Sequence, residues 1–293
     1  MNRRTVAVLA LLALLAGCAP DRAGSLGPAP TAAPPTAASP PASSSAPPPA
    51  ATAPSRTAAR ATPPAPPTAG PSPSRPGPVT IELWYVRDGR ITPTRRTRPA
   101  TVATSALALT ELARGPTAAE AAAGLATFLP AGVGVTRITD GVAVVGTVPV
   151  DDDRARRLAE AQVVWTLTQF ATVRSVRFGA GPAVGRAGYA DLLPPIVVTA
   201  PAIGQRVGTP VTVTGTADVF EATVSVRVLD AAGREVGTAF TTATCGTGCR
   251  GAFRVAVGYR VGREQPGTVE AYEVSPADGS RTKLVSVPVV LGG

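Results

Sequence analysis

Val79-Thr80-Ile81-Glu82-Leu83-Trp84-Tyr85-Val86-Arg87-Asp88-Gly89-Arg90 decides how the first folded part of this 293-residue chain is read. Its β-branched and aromatic residues favour a strand. Asp88-Gly89 is the dipeptide that a two-residue hairpin turn selects, because both central positions need a left-handed backbone. Arg90 to Thr97 then returns as a second strand. Downstream, Thr101 to Arg114 carries Leu107 and Leu112 on a helical face, and Gly115-Pro116 stops it. Thr117-Ala118-Ala119-Glu120 has the spacing of a capping box opening a short helix to about Ala123. Val133–Thr139 and Val142–Val150 are strands around a second hairpin signal, Asp140-Gly141.

The longest helix is expected over Asp153–Phe170, with Leu158, Ala161, Trp165 and Thr168 on one stripe and Val164 beside it. Trp165 is read as core. Asp151-Asp152-Asp153 stand where carboxylates cap free amides and meet the positive helix end, and no second acidic cluster completes a metal shell. They are read as capping, and no metal or cofactor is expected. Val173–Phe178 closes the domain, giving ββαββαβ and an α+β fold with helices against one sheet face. Gly179 to Gly185 has three glycines, but their spacing and Pro182 do not fit a dinucleotide loop, so it is read as a loop or linker.

On Leu107 to Pro116, Gly124 to Pro130, Gln162 to Phe170 and the strand Val173–Phe178, residues 79–193 resemble the GerMN module of sporulation and spore-germination proteins. That family is similar to ring-building folds of envelope machines, so the resemblance implies self-association or partner docking. It does not establish an active site.

Pro194-Pro195 marks a boundary, and residues 194–293 follow a different pattern. Seven short runs alternate in hydrophobicity: Ile196–Thr199, Val211–Thr216, Thr223–Leu229, Glu235–Ala243, Ala252–Tyr259, Thr268–Val274 and Lys283–Leu291. With turns at Ala232-Gly233 and Asp278-Gly279 they predict an all-β sandwich. Val224, Val226, Val228, Val285, Val287 and Val289 are its expected inward positions. Pro201, Val211 to Ala217, Val219 to Ala222 and Glu273-Val274-Ser275 before Asp278-Gly279-Ser280 resemble the immunoglobulin-like domain of bacterial spore-germination proteins. Phe220 and Glu221 fall at a corner in that reading. They offer a docking patch or, the preferred reading, a packed Phe220 and a turn bond from Glu221. Cys245 and Cys249, spaced by Gly-Thr-Gly, are read as a structural disulfide; a redox or zinc role lacks a helix start and further ligands.

Residues 19–78 hold 19 of the 32 prolines, among Ala, Ser, Thr and Gly. Such a segment has too little bulky apolar surface to offset its ordering entropy and is expected to be a disordered linker. It would span roughly 45 Å as a coil or about 190 Å as a polyproline rod. Before it, Arg3 and Arg4 precede the ten-residue apolar core Val6–Leu15, which is shorter than the about 20 residues a membrane span needs. It suits an export signal. Leu15-Ala16-Gly17-Cys18 resembles the bacterial lipobox, whose Cys takes a lipid and becomes the N-terminus. Residues 1–18 are therefore expected to be a lipoprotein signal, with Cys18 lipidated and the chain held on the extracytoplasmic face of the cell membrane.

The net charge is +9, of which two charges leave with the signal, three lie in 19–78 and four remain from Val79 on. That diffuse charge, with few aromatics, excludes a nucleic-acid binder. Without His the commonest general base and metal ligand are missing, and no Gly-x-Ser-x-Gly is present. The expected function is non-catalytic: a lipid-anchored envelope protein whose modules bind a protein partner, each other's copies or wall material such as peptidoglycan. The alternative is a wall-processing enzyme or its activator, with Glu82 and Asp140 as an acid pair. A glycan-binding module would use Phe220, Phe240, Phe253, Tyr259 and Tyr272.

Overall fold

The computed structural model describes residues 77–293; Cys18, the lipobox-like run and the linker up to residue 76 lie outside the described residues. The chain enters β1 (Pro78–Arg87), which pairs antiparallel with β2 (Arg90–Pro99) along its whole length. The turn has φ of +53° at Asp88 and +70° at Gly89, the left-handed pair that lets the strands keep their twist. Helix α1 (Thr104–Arg114) follows, closed by Gly115 at φ +91°. Next comes the short helix α2 (Ala118–Ala122), whose capping box between Thr117 and Glu120 is complete.

Strands β3 (Val135–Thr139) and β4 (Val142–Val145) form the second hairpin, with Asp140 and Gly141 both left-handed. Helix α3 (Asp153–Leu167) is the crossover to β5 (Ser175–Phe178), which lies parallel to β4. A short β6 (Ala183–Val184) adds antiparallel to β5, and a 3₁₀ turn spans Arg186–Leu192.

The α+β class holds, with three changes of detail. The β1–β2 hairpin is a sheet of its own, separate from the four-stranded sheet β3-β4-β5-β6. Strand β4 stops at Val145 and α3 at Leu167, each earlier than the sequence pattern indicates. The glycine-rich stretch from Gly179 is a turn followed by edge strand β6. One core unites these pieces: Ile81, Leu83 and Tyr85 of β1, Leu109 and Leu112 of α1, Val163, Val164 and Leu167 of α3, and Val145 and Val176 of the sheet. Burying each such side chain contributes roughly 1.5–3 kcal/mol.

Strand β1 is buried on both faces from Leu83 to Val86, which removes its free edge from water as well. That edge needs partners for its N–H and C=O groups, and α3 supplies them with side chains. The Gln162 Nε2 donates to the Trp84 carbonyl at 2.8 Å, and the Trp84 N–H donates to the Thr166 Oγ1 at 3.1 Å. The Gln162 Oε1 also accepts from the Phe128 N–H at 2.8 Å. Glu82 is served by Gln169, and Val86 by a two-bond bridge to Ala126.

The second half is a β-sandwich of two sheets. Strands β7 (Ile196–Ala200), β8 (Arg206–Val207), β9 (Val211–Ala217), β10 (Thr223–Leu229), β11 (Glu235–Thr242), β12 (Gly251–Val257), β13 (Gln265–Val274) and β14 (Arg281–Leu291) follow in order. Their sheets run β11-β10-β13-β14-β8 and β12-β9-β7. Only the short β8 is absent from the sequence pattern. Val224, Val226 and Val228 are fully buried, and Val285, Val287 and Val289 nearly so, as their alternation requires.

Arginines that donate to backbone carbonyls hold the Leu193-Pro194 boundary, and one of them, Arg87, reaches from the first half to the second. The Arg90 Nη1 donates to the Leu193 carbonyl at 2.8 Å, the Arg250 Nη2 to the Pro194 carbonyl at 2.8 Å, and the Arg87 Nη1 to the Ser286 carbonyl at 3.2 Å. Burial lowers the pKa of both Arg87 and Arg250, a sign of how far the joint excludes water. Val197 of β7 packs into the first core, and Ile203 touches both cores.

Candidate docking surface

After β9 the chain turns through Asp218–Ala222 before β10 begins. Glu221 and Ala222 sit at φ +51° and +58° in succession. Left-handed backbone costs a non-glycine residue roughly 1–2 kcal/mol, so two in a row need outside support. Support comes from two sides. Glu273, 8 % exposed at the end of β13, accepts the Phe220 N–H at 2.6 Å and the Lys283 Nζ at 2.8 Å on Oε2, and the Thr282 Oγ1 at 3.2 Å on Oε1. Burial pushes the Glu273 carboxyl up, but those donors outweigh it and hold the group below the ordinary carboxylate value.

The other support is the Cys245–Cys249 ring, bridged with Cα atoms 5.7 Å apart. From it the Thr247 N–H donates to the Val219 carbonyl at 2.9 Å and the Gly248 N–H to the Asp218 Oδ1 at 3.0 Å. The Glu221 N–H donates back to the Thr247 Oγ1 at 3.1 Å, and just before the ring Ala243 bonds the Ala222 carbonyl. Gly246 lies so close to the Ala222 backbone that a Cβ there has no room.

This bracing leaves Phe220 in solvent, 44 % exposed, so the packed reading of Phe220 is corrected. Glu221 contributes through its backbone; its carboxylate makes no hydrogen bond among the described residues. Other exposed apolar groups gather at the same end of the five-stranded sheet. Register places Phe240, Ser225 and Tyr272 in one row across β11, β10 and β13. Phe240 is 74 % exposed. Val274 starts the next row, and Leu284 lies at the β14 irregularity opposite Tyr272; both are exposed. Tyr272 itself is covered by Arg227 and Arg281, with guanidinium carbons 5.9 and 5.3 Å from the ring centroid.

The other residues singled out in the sequence fall elsewhere. The Asp152 carboxylate accepts the Ala155 N–H at 2.6 Å as the α3 N-cap, and Asp153 pairs with Arg156. Trp165 is core, 4.6 Å from Trp84 between ring centroids, with the Arg186 guanidinium carbon 4.5 Å from its ring centroid. Phe253, Tyr259 and Tyr272 are buried and leave the set of sugar-stacking aromatics. Glu82 accepts the Trp84 Nε1–H at 3.0 Å and lies 3.6 Å from Arg95, whereas Asp140 forms a hairpin corner. Among the described residues no hydrogen bond joins these two acids, and no cluster of metal-ligating side chains occurs. Cys18 lies outside the described residues.

One charged centre escaped the sequence reading. Arg96 of β2, 8 % exposed, donates to the Glu120 Oε2 at 2.6 Å and to Glu111 at 3.3 Å. Arg98 and Arg114 complete the shell of Glu111, and Tyr85 donates its hydroxyl to the Glu111 and Gly115 carbonyls. The capping box was a visible sign of Glu120; nothing local marks Glu111 as buried.

Residues 79–181 match the family described as sporulation and spore germination. Residues 195–280 match the immunoglobulin-like domain of bacterial spore germination. The chain has the architecture of a GerMN plus immunoglobulin-like germination protein. Among solved structures it is similar to the tandem GerMN domains of the sporulation protein GerM from Bacillus subtilis, at 18 % identity and a TM-score of 0.32, over 74 % of this chain and 61 % of that one. It is also similar to CopC from Methylosinus trichosporium OB3b, at 14 % identity and a TM-score of 0.22, over 33 % of this chain and 93 % of that one. No curated protein matches the sequence at a significant level. The germination-protein assignment rests on the two family matches, which follow one another in the order of the two folded halves. Its GerMN-like half supplies the charged centre and the helix-braced hairpin; its immunoglobulin-like half supplies the exposed corner.

Proposed function

We propose that this is a non-catalytic envelope protein, held at the extracytoplasmic membrane face by a lipid on Cys18, that docks a partner protein through the Phe220 corner. One observation carries the reading: two consecutive left-handed non-glycine residues, braced by a buried carboxylate and a disulfide ring, hold Phe220 out in water. Phe220 belongs to neither hydrophobic core, so core packing does not account for this backbone. Phe240, Val274 and Leu284 enlarge the apolar area at the same end, and aromatic anchors of this kind dominate binding energy at protein interfaces.

The test is a pull-down from solubilised membranes with the full-length protein and with a Phe220→Ser/Phe240→Ser variant. Both exchanges are at exposed positions, so near-UV circular dichroism should stay unchanged. A partner held by the parent and lost by the variant supports the reading. If the parent retains nothing and is a monomer by light scattering, the docking function is wrong.

A further inference from the structure

The four-stranded sheet turns Ala143, Val145 and Val176 inward, all fully buried against α3 and the core. Its opposite face has no such cover. Register sets Arg137, Val144 and Arg177 side by side across β3, β4 and β5 on that face. The two arginines line one shallow groove of about 210 Å³ with Thr139, Asp140, Val142 and Val144. Among the described residues neither guanidinium has a hydrogen bond or an ion pair. A third, Arg174, donates to the Asp140 carbonyl at 2.6 Å and lines the adjoining hollow with Asp140. The two hollows together are lined by three arginines and one carboxylate, that of Asp140.

We propose that this face docks an acidic amphipathic helix of a partner protein. Charge complementarity requires an anionic occupant, and the geometry selects its form. Adjacent strands lie about 4.8 Å apart, so the Arg137 and Arg177 backbones are separated by roughly 9.6 Å with Val144 between them. On a helix, residues i and i+7 lie about 10.5 Å apart on one face, with i+3 and i+4 between. A helix laid across the strands can therefore offer a carboxylate to each guanidinium and an apolar side chain to the Val142–Val144 ridge. Arg binds carboxylate through a two-pronged fork, which fixes orientation as well as charge. The result is a sheet covered by helices on both faces, a standard layered arrangement. A phosphate polymer fits less well, because it would leave the valine ridge uncovered and meet the Asp140 carboxylate.

The experiment uses the full-length protein and a dye-labelled synthetic helix of about 16 residues, roughly four turns, with Glu at i and i+7 and Leu at i+3 and i+4. A scrambled peptide of the same composition and inorganic polyphosphate are the comparison probes. Fluorescence anisotropy is read for the parent, for Arg137→Gln/Arg177→Gln, and for Arg254→Gln/Arg263→Gln, which removes equal charge from exposed positions on the other half. The expected result is binding of the helix by the parent, about tenfold weaker binding by the Arg137/Arg177 variant, and no change in the Arg254/Arg263 variant. The scrambled peptide should bind the parent about as weakly as the helix binds the Arg137/Arg177 variant. Absence of binding by the parent, an equal loss in both variants, or equal binding of helix and scrambled peptide overturns the proposal. So does polyphosphate binding that depends on Arg137 and Arg177 while peptide binding does not.

Discussion

Gln169 closes the backbone of Glu82 from both sides: its Oε1 accepts the Glu82 N–H and its Nε2 donates to the Glu82 carbonyl, each at 2.7 Å. A side-chain amide here does what the peptide group of a neighbouring strand would do. Gln169→Ala leaves a half-buried donor and acceptor unsatisfied and is expected to cost about 1–3 kcal/mol. Gln169→Glu keeps the acceptor but turns a carboxylate oxygen toward the Glu82 and Thr166 carbonyls, and should cost at least as much. Urea unfolding of the two variants against the parent gives the comparison, and equal midpoints for all three would show that water replaces the glutamine.

Glu120 joins a helix cap to a buried guanidinium. Its Oε2 accepts both the Thr117 N–H and the Arg96 Nη2–H, and its Oε1 accepts the Thr94 hydroxyl. Glu120→Ala leaves buried Arg96 with Glu111 as its one carboxylate partner and should cost about 3–5 kcal/mol. Glu120→Gln, which keeps an acceptor for Thr117, should fall between Ala and the parent. A Glu120→Ala protein that melts with the parent would mean Arg96 has found other partners.

The same centre makes stability depend on pH at both ends. Burial raises the Tyr85 pKa from 10.0 to about 12, so the native state holds the phenol proton more tightly than the unfolded chain. The associated stability is present below pH 10 and is lost as pH rises through about 12. For Glu111 and Glu120 burial acts upward, but the arginine bonds to both and the Thr117 N–H on Glu120 prevail, and both sit below 4.5. Their contribution is present above pH 4.5 and fades as pH falls through the lowered native values. Tyr85→Phe should flatten the alkaline limb of a denaturation-midpoint profile and leave the acid limb in place.

Removing the disulfide tests whether the corner is braced by it. A ring this small is worth about 2 kcal/mol by loop entropy, and the sandwich core does not depend on it. Cys245→Ser/Cys249→Ser should therefore remain folded, with faster amide exchange at Phe220 through Ala222 and weaker partner capture. Unchanged exchange at those amides would put the burden on Glu273 alone.

Cys18→Ala should be released to the medium or persist as an uncleaved precursor, and it should not take up a fatty-acid label. Labelling equal to that of the parent would remove the lipid anchor from the proposal.

The features that could be read from sequence are those with local causes. Asp88-Gly89 and Asp140-Gly141 announce their turns because the left-handed requirement belongs to those residues alone. Val224, Val226 and Val228 announce their face because the strand period is two. Gln162, Thr166 and Gln169 form an equally regular stripe, yet polar residues at helical spacing read as a solvated surface. Only the edge of β1, some 80 residues earlier in the chain, makes them interior. Phe220 misleads in the opposite sense. An isolated Phe reads as core, and its exposure is decided by Glu273, which lies 53 residues away. Neither contact has a signature in the immediate neighbourhood of the residue it governs.

Arg87 bonds Ser286 across the two halves, Arg90 and Arg250 hold Leu193 and Pro194 at the boundary, and Val197 and Ile203 pack into the first core. The Phe220 corner and the arginine row therefore sit on two halves that share packed contacts, like two marks on one ruler. A partner that grips both marks makes its second contact as an intramolecular step, at an effective concentration set by the short packed joint and not by a long flexible connector.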